Sequence, residues 1–185
     1  LNGFDVTVDA SGVGGDVSLA NLIAAGGETV TIRANGLTTL AGAGGAGLAL
    51  LDLQTNTLAI NGLTAADSVL INTLGFNPQD ISVGDDAALT PGTLNISNAS
   101  LANLTPVAGG TNSLTIGNAA YAGQILIGDA TINRDVAFTT GGSGIISLAS
   151  TGLQGTGGLT SIAMTAPEIR LGGAIQSNAG AFAPA

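Results

Sequence analysis

Cysteine, histidine, lysine and tryptophan are absent from the 185-residue chain, which has one methionine and one tyrosine. Each absence removes a class of chemistry. Without cysteine there are no disulfides and no thiolate nucleophile. Without histidine or cysteine the usual ligands for zinc, haem iron and copper are missing, and a Ser–His–Asp triad has no base. Without lysine there is no Ser–Lys pair, no phosphate-cradling G-x-x-x-x-G-K-[ST] loop and no Lys–Asn isopeptide crosslink. Cations are limited to Arg33, Arg134 and Arg170, against twelve acidic residues, for a net charge of −9. A polyanion with three cations offers no track for a phosphate backbone, which argues against nucleic acid, and anionic membrane surfaces repel it too.

What is present is small and apolar. Residues of the hydrophobic class make up 45% of the chain and aromatics only 3%, so a core has to be built from Leu, Ile, Val and Ala. Thirty glycines follow no three-residue period, which excludes collagen. The charge-free stretch from Ala34 to Leu51 is long enough to span a bilayer. Its five glycines make a poor spanning helix, and no membrane insertion is expected.

Apolar bursts of three to seven residues recur along the whole chain, as at Phe4–Val8, Thr29–Ala34, Ser113–Gly117, Gln124–Gly128 and Val136–Thr139. Short linkers rich in Gly, Asn, Asp, Ser or Pro separate them. This punctuation indicates an all-β chain: sandwich, barrel or solenoid. TNTLAING (55–62), PGTLNISN (91–98) and TNSLTIGN (111–118) share one pattern, with TVTIRANG (29–36) a looser copy. Their isoleucines, at 32, 60, 96 and 116, fit coils of about 20 to 30 residues with variable loops. A parallel β-solenoid is therefore expected, as a single domain of irregular repeats over 1–185. An antiparallel β-sandwich is the alternative, although a sandwich of this size would more typically recruit several Trp or Tyr residues. Ser18–Ala25 reads as a strand followed by a corner, or as two helical turns capped by Ser18.

From 113 to 182 the pattern acquires a family likeness. ATINRDVAFTTGGSGIISLASTG (130–152), GTGGLTSIAMTAPEIRLGGAIQSNAGAF (155–182) and SLTIGNA (113–119) resemble the repeats of large secreted bacterial proteins of the filamentous-haemagglutinin and adhesin type. The resemblance implies a right-handed parallel β-solenoid, export, and a role at or beyond the cell surface. Proteins of that family are far longer than this chain.

No residue is expected to be catalytic or to hold a cofactor. Asp85 with Asp86, Asp129 with Asp135, and Asp5 with Asp9 are the conceivable carboxylate pairs for a glycan-processing enzyme. Such an enzyme also grips sugars on aromatic platforms, which are scarce here. Calcium is the one metal to weigh. SGVGGDVSL (11–19) approaches the G-G-x-G-x-D-x-U-x nonapeptide, and DASGVGGD (9–16), VGDDAA (83–88) and IGDATINRD (127–135) carry oxygen donors. Ordinary Asp turns account for the same residues. Three N-x-[ST] sequons, at Asn95, Asn98 and Asn103, fall within a segment rich in Asn, Ser and Thr. Arg134 with Asp135 and Arg170 with Glu168 read as rim salt bridges.

A solenoid has two open ends, each exposing strand edges and a slice of core, and ends of that kind add further copies. The expected role is an extracellular or cell-surface structural protein that stacks into a filament or layer. The alternative is an adhesin module that presents one face to glycan or another surface.

Overall fold

A computed structural model of the chain describes residues 3–20, 22–74, 79–86, 94–157, 161–177 and 180–181. The NAGAFAPA tail apart from 180–181, positions 87–88 of the VGDDAA loop and 91–93 of PGTLNISN lie outside the described residues.

The described chain winds as a parallel β-solenoid, each coil contributing up to three short arms. The first coil is β1 (Val6–Ala10), β2 (Val17–Leu19) and β3 (Leu22–Ala24). In the next coils the arms run together round their corners. The first half of β4 (Thr29–Leu40) pairs with β1 and the second half with β2, and the β5 side of its register breaks between Ala34 and Leu37. β5 (Ala43–Ile60) pairs with β3, with both halves of β4 and with β6 (Thr64–Asn72). After β7 (Ile81–Val83) come β8 (Leu94–Ile96), α1 (Asn98–Asn103) and β9 (Leu104–Thr105). Regular three-arm coils then resume: β10 (Ser113–Gly117), β11 (Gln124–Ile127) and β12 (Ala130–Ile132), followed by β13 (Asp135–Thr139), β14 (Ile145–Leu148) and β15 (Leu153–Gly155). The last coil is β16 (Ile162–Thr165), β17 (Glu168–Leu171) and β18 (Ile175–Ser177), with β19 (Gly180–Ala181) turned back antiparallel on β18.

The first arm stacks seven deep, in the order β1-β4-β5-β6-β10-β13-β16. Val6, Val30, Leu51, Val69, Leu114, Val136 and Ile162 form one inward column. Val8, Ile32, Leu53, Ile71, Ile116, Phe138 and Met164 form the next. Side chains alternate across a strand, so the residues between them face outward. The inward side chains join one buried core cluster, and aliphatic residues fill it in register, one on the next, about 4.8 Å apart. A residue that bulges sideways in such a column displaces both its neighbours, so among the described residues the buried core is aliphatic apart from Phe138 and Tyr121.

Successive positions of the first column lie 24, 21, 18, 45, 22 and 26 residues apart. The repeats read in the sequence are strands, but not all are equivalent ones. Ile32 and Ile116 share a first-arm column, whereas Ile60 lies in the second-arm half of β5 and Ile96 lies in β8. Amphipathic alternation marks a strand without saying which arm it forms. Within Ser18–Ala25 the described residues form the end of β2 and all of β3, residue 21 lying outside the described residues, and 34–51 lies within β4 and β5 and the turn between them. Among the described residues no helix is long and apolar enough to cross a membrane.

The 45-residue step is an excursion. β7 pairs on one side with β11 and on the other with β8, which lies between it and the chain already laid down by β5. No ladder joins β8 to β5. Instead the backbone N–H of Ile60 donates to Ser100 Oγ at 3.2 Å, and Asn103 Nδ2 donates to Ile60 O at 2.6 Å. α1, N-capped by Ser97, thus satisfies a strand end that would otherwise be buried without partners.

If inward stacking carries stability, Phe138→Ala, a fully buried site, should cost about 3–5 kcal/mol in urea denaturation. Met164→Ala, on the half-covered last rung, should cost clearly less. Equal losses would contradict a core that thins towards its end.

Candidate functional site

The solenoid repeats one polar device. Asp5 Oδ1 accepts Thr29 N (2.7 Å), Asp16 Oδ1 accepts Leu37 N (2.7 Å), and Asp67 Oδ1 accepts Asn112 N (2.7 Å). Asp80 Oδ1 accepts Gln124 N (2.9 Å) and Asp135 Oδ1 accepts Ser161 N (2.8 Å). In all five cases donor and acceptor stand one step before the first pair of the ladder between two successive rungs. The aspartate sits on the earlier rung and caps the later one. It does for an incoming strand what an N-cap does for a helix, supplying an acceptor to an N–H that the ladder has not yet reached. Four of the five stand in a D-[VI]-x-[VLF] motif: DVTV (5–8), DVSL (16–19), DISV (80–83) and DVAF (135–138). That recurrence is the signal that a search organised around Leu and Ile passes over.

Other corners are tied by amides and hydroxyls. Asn98 N donates to Asp85 Oδ1 (2.9 Å), its Nδ2 to Asp129 O (2.6 Å), and its Oδ1 accepts Thr131 N (2.8 Å). Asn56 Nδ2 donates to Asn35 Oδ1 (2.8 Å), and Thr38 Oγ1 donates to Thr55 Oγ1 (3.0 Å) inside the coil. The sequons at Asn98 and Asn103 therefore carry amides bound to neighbouring backbone. Tyr121 is buried, with its hydroxyl 2.7 Å from Gln79 O and 2.9 Å from Gln124 O, and burial holds the phenol well above its usual pKa. Several corners require glycine, Gly84 and Gly117 among them. Gly84 and Gly117 have φ of +101° and +77°, and a Cβ there would meet the carbonyls of Gly128 and Thr139 on the next rung.

The carboxylate pairs conceived from sequence are directed to different partners. Asp85 holds Asn98 N, while Asp86 Oδ2 accepts Thr151 Oγ1 at 2.7 Å. Asp129 occupies a left-handed turn at φ +48°, while Asp135 caps Ser161. Asp5 caps Thr29, while Asp9 accepts Ser11 N at 3.0 Å and lies 3.9 Å from Arg33. In the 9–16 loop, Asp9 and Asp16 thus serve Ser11 and Leu37. Among the described residues no group of three or more acidic side chains is placed to hold a metal.

Arg170 makes the expected exposed salt bridge, its Nε 2.6 Å from Glu168 Oε1. Arg134 departs from the rim reading. It is only 1% exposed, and its Nη1 donates to Ala66 O at 3.0 Å, 68 residues away, while Nε and Nη2 have no hydrogen-bond partner. Burial lowers its pKa, opposed by the nearby charge of Asp67. The arginine reaches inward from the corner before β13 to Ala66, at the bend of β6 between the part that pairs with β9 and the part that pairs with β10.

Glu28 is buried beneath the N-terminal coil. Its carboxylate accepts Gly3 N, Ala25 N and Gly26 N at 2.8 to 3.0 Å. Burial disfavours its charge, but these backbone donors outweigh burial and hold its pKa below the usual value. Asp52 is the opposite case: burial raises its pKa, against a bond from Gln54 and the charge of Arg33.

The two ends of the stack differ from its middle. On the second arm Ile146 and Leu148 are at most 2% exposed, whereas Ile169 and Leu171, the next residues in those columns, are 43% and 64% exposed. At the other end Val6, Val8, Ala10, Leu19 and Leu22 are only half covered, while Val17 and Ala24 of the same coil are buried. Among the described residues β1 has one ladder neighbour, β4, and β16 has one, β13. Here the chemistry on offer is apolar contact and backbone hydrogen bonding to another β-rung.

Asp135→Ala should cost about 1–2 kcal/mol at pH 7, and Asp135→Asn, which keeps an acceptor, roughly half of that, in thermal or urea unfolding. An alanine variant as stable as the parent would remove the staple from the account. The pH dependence has a defined sign. Glu28 contributes stability above its unfolded pKa that is lost as pH falls through its lower folded value, so Glu28→Gln should be destabilising at pH 7 and harmless near pH 2. Asp52 contributes below its unfolded pKa and loses that contribution as pH rises through its higher folded value. Asp52→Asn should therefore be neutral or stabilising at pH 7, and a loss of stability there would contradict the assigned environment.

Set against known proteins, the chain matches no protein-family model, no curated protein and no solved structure.

Proposed function

We propose that this chain is a structural β-solenoid that works at or beyond the cell surface by stacking end to end, as a subunit or segment of a filament or layer. The observation that carries the reading is the pair of half-covered terminal rungs. Inward side chains sealed in the middle of the stack are half covered at Val6, Val8 and Leu19 of the first rung, although Val17 is buried, and exposed at Ile169 and Leu171 of the last, beside first-arm strands with one ladder neighbour each among the described residues. Covering each half-exposed aliphatic side chain contributes on the order of 1 kcal/mol, and a rung offers several. A head-to-tail contact between unlike ends does not close on itself, so it propagates as a filament. The adhesin-like sequence pattern supports export, and the absence of histidine and lysine supports a role by shape instead of catalysis.

A second reading has its own observation. A shallow trough on the outer side of the first arm is lined by Thr111, Ser113, Thr115, Asp135, Ala137, Ser161 and Ala163, which suits a flat ligand such as a glycan. The two readings separate experimentally.

Negative-stain micrographs of the purified chain should show rods that lengthen with concentration. Leu171→Lys, on the exposed last rung, should abolish them while the circular dichroism stays β-type, and Thr115→Lys, in the trough, should leave them intact. Monomers throughout, with glycan binding lost in Thr115→Lys, would replace the filament by the adhesin reading.

A further inference from the structure

We propose that, whether or not copies of the chain stack, Asn61 is a self-modifying residue. In the folded chain its side chain condenses with the backbone of Gly62 and converts to isoaspartate and aspartate, while the identical Asn35–Gly36 pair is locked against the same reaction.

The dipeptide Asn-Gly occurs at 2–3, 35–36 and 61–62, and residue 2 lies outside the described residues. The chemistry is intramolecular. The glycine nitrogen attacks the asparagine Cγ and loses its proton, and ammonia leaves as a succinimide ring closes. Water then opens the ring at Cγ to give aspartate, or at the main-chain carbonyl carbon to give isoaspartate. Glycine favours the step because no Cβ shields its nitrogen or restricts the backbone rotation that brings it to Cγ. From the fold the step needs a nitrogen free of hydrogen bonds, a side chain free to turn, and water.

The corner between β5 and β6 offers all three. Asn61 is exposed, as is its neighbour Leu63. The Asn61 N–H donates to Leu40 O at 2.7 Å, but its side-chain amide and the Gly62 N–H have no hydrogen-bond partner among the described residues. Glycine is also imposed at 62, since a Cβ there would run into the Ala41 carbonyl on the preceding rung. The steric demand that shapes the corner therefore leaves Asn61 next to the one residue type that makes it labile. Asn35 is in the opposite state, inside β4. Gly36 N donates to Gly15 O at 2.9 Å, and Asn56 Nδ2 is shared between Asn35 Oδ1 at 2.8 Å and Asn35 O at 3.0 Å. These bonds have to break before the ring can close.

The product changes the corner. Residues 61–63 are held at both sides, by Asn61 N on Leu40 O and by Ala43 N on Leu63 O at 2.9 Å. Isoaspartate adds one methylene to the backbone between those points, so the corner bulges as a strand does around an extra residue, and the Ala43–Leu63 bond loosens.

Ageing the purified chain in mildly alkaline buffer, then mapping peptides by mass spectrometry, tests the assignment. The peptide holding Asn61 should gain one mass unit and split into aspartate and isoaspartate forms, with conversion at Asn35 roughly tenfold or more slower. In urea, which removes the folded-state bonds, the two sites should convert at similar rates. Asn61→Gln should abolish conversion at 61 and leave Asn35 slow. Conversion at Asn35 as fast as at Asn61 in the folded chain, or none at Asn61, would overturn the assignment. The isoaspartate form, isolated by chromatography, should exchange the Ala43 amide hydrogen faster than Asn61→Asp, which adds the charge without the methylene. Equal exchange in the two would overturn the bulge.

Discussion

A strand in this molecule has backbone groups that can be satisfied only by the rung before it and the rung after it. Everything else follows from that constraint. Inward residues stack on their equivalents because the ladder fixes them opposite one another. Corners are held to residues that turn sharply or bond locally. The first N–H of an arm, which the ladder has not yet reached, needs an acceptor from outside. The aspartates at 5, 16, 67, 80 and 135 supply it, each from the rung already in place. A carboxylate is well suited to the task because a charge-assisted bond is stronger than a neutral one and a single oxygen can accept from two donors, as Asp67 Oδ1 does from Asn112 N and Thr111 Oγ1.

The same constraint explains where the regularity breaks. Between β6 and β10 the second arm receives two strands, β7 and β8, while the first arm advances by a single rung. The surplus strand cannot pair on both sides, and α1 with its Ser100 and Asn103 takes the place of a ladder. Arg134 is a consequence of the same irregularity. A buried guanidinium with two unpaired nitrogens is costly, and it occurs just after the coil that follows the excursion, tied back to Ala66. A polar network at the ends or corners is cheap by comparison, since water reaches most of it.

Much of this was legible in the sequence, for a reason that particular residues make plain. Solenoid strands alternate strictly, so DVTV, TVTIRA and SLTIG announce themselves, and glycine and asparagine mark the corners. What period-two alternation cannot reveal is which arm a strand joins. TNTLAING looks like TNSLTIGN, yet one carries a second-arm strand and the other a first-arm strand. α1 was hidden because it is only six residues long, its Ala and Leu are interleaved with Asn and Ser, and it has no charge to mark it, only the Ser97 cap. Arg134 looked like a surface partner of Asp135 because adjacency in sequence says nothing about which way a corner side chain turns. The aspartate caps were legible as a recurring D-[VI]-x-[VLF], while the N–H that each one holds required knowing which strand follows which on an arm.

The central claim is that the coils pile in register along one axis, and interspin distances measure it directly. Thr7, Thr115, Ala137 and Ala163 lie in one outward column, on the first, fifth, sixth and seventh rungs. Spin labels on cysteine pairs that share position 7, diluted with unlabelled protein, should give Cα separations of about 19, 24 and 29 Å to 115, 137 and 163, one strand spacing per rung. A series that fails to lengthen in that order, as a face-to-face pair of antiparallel sheets would give, would contradict the account.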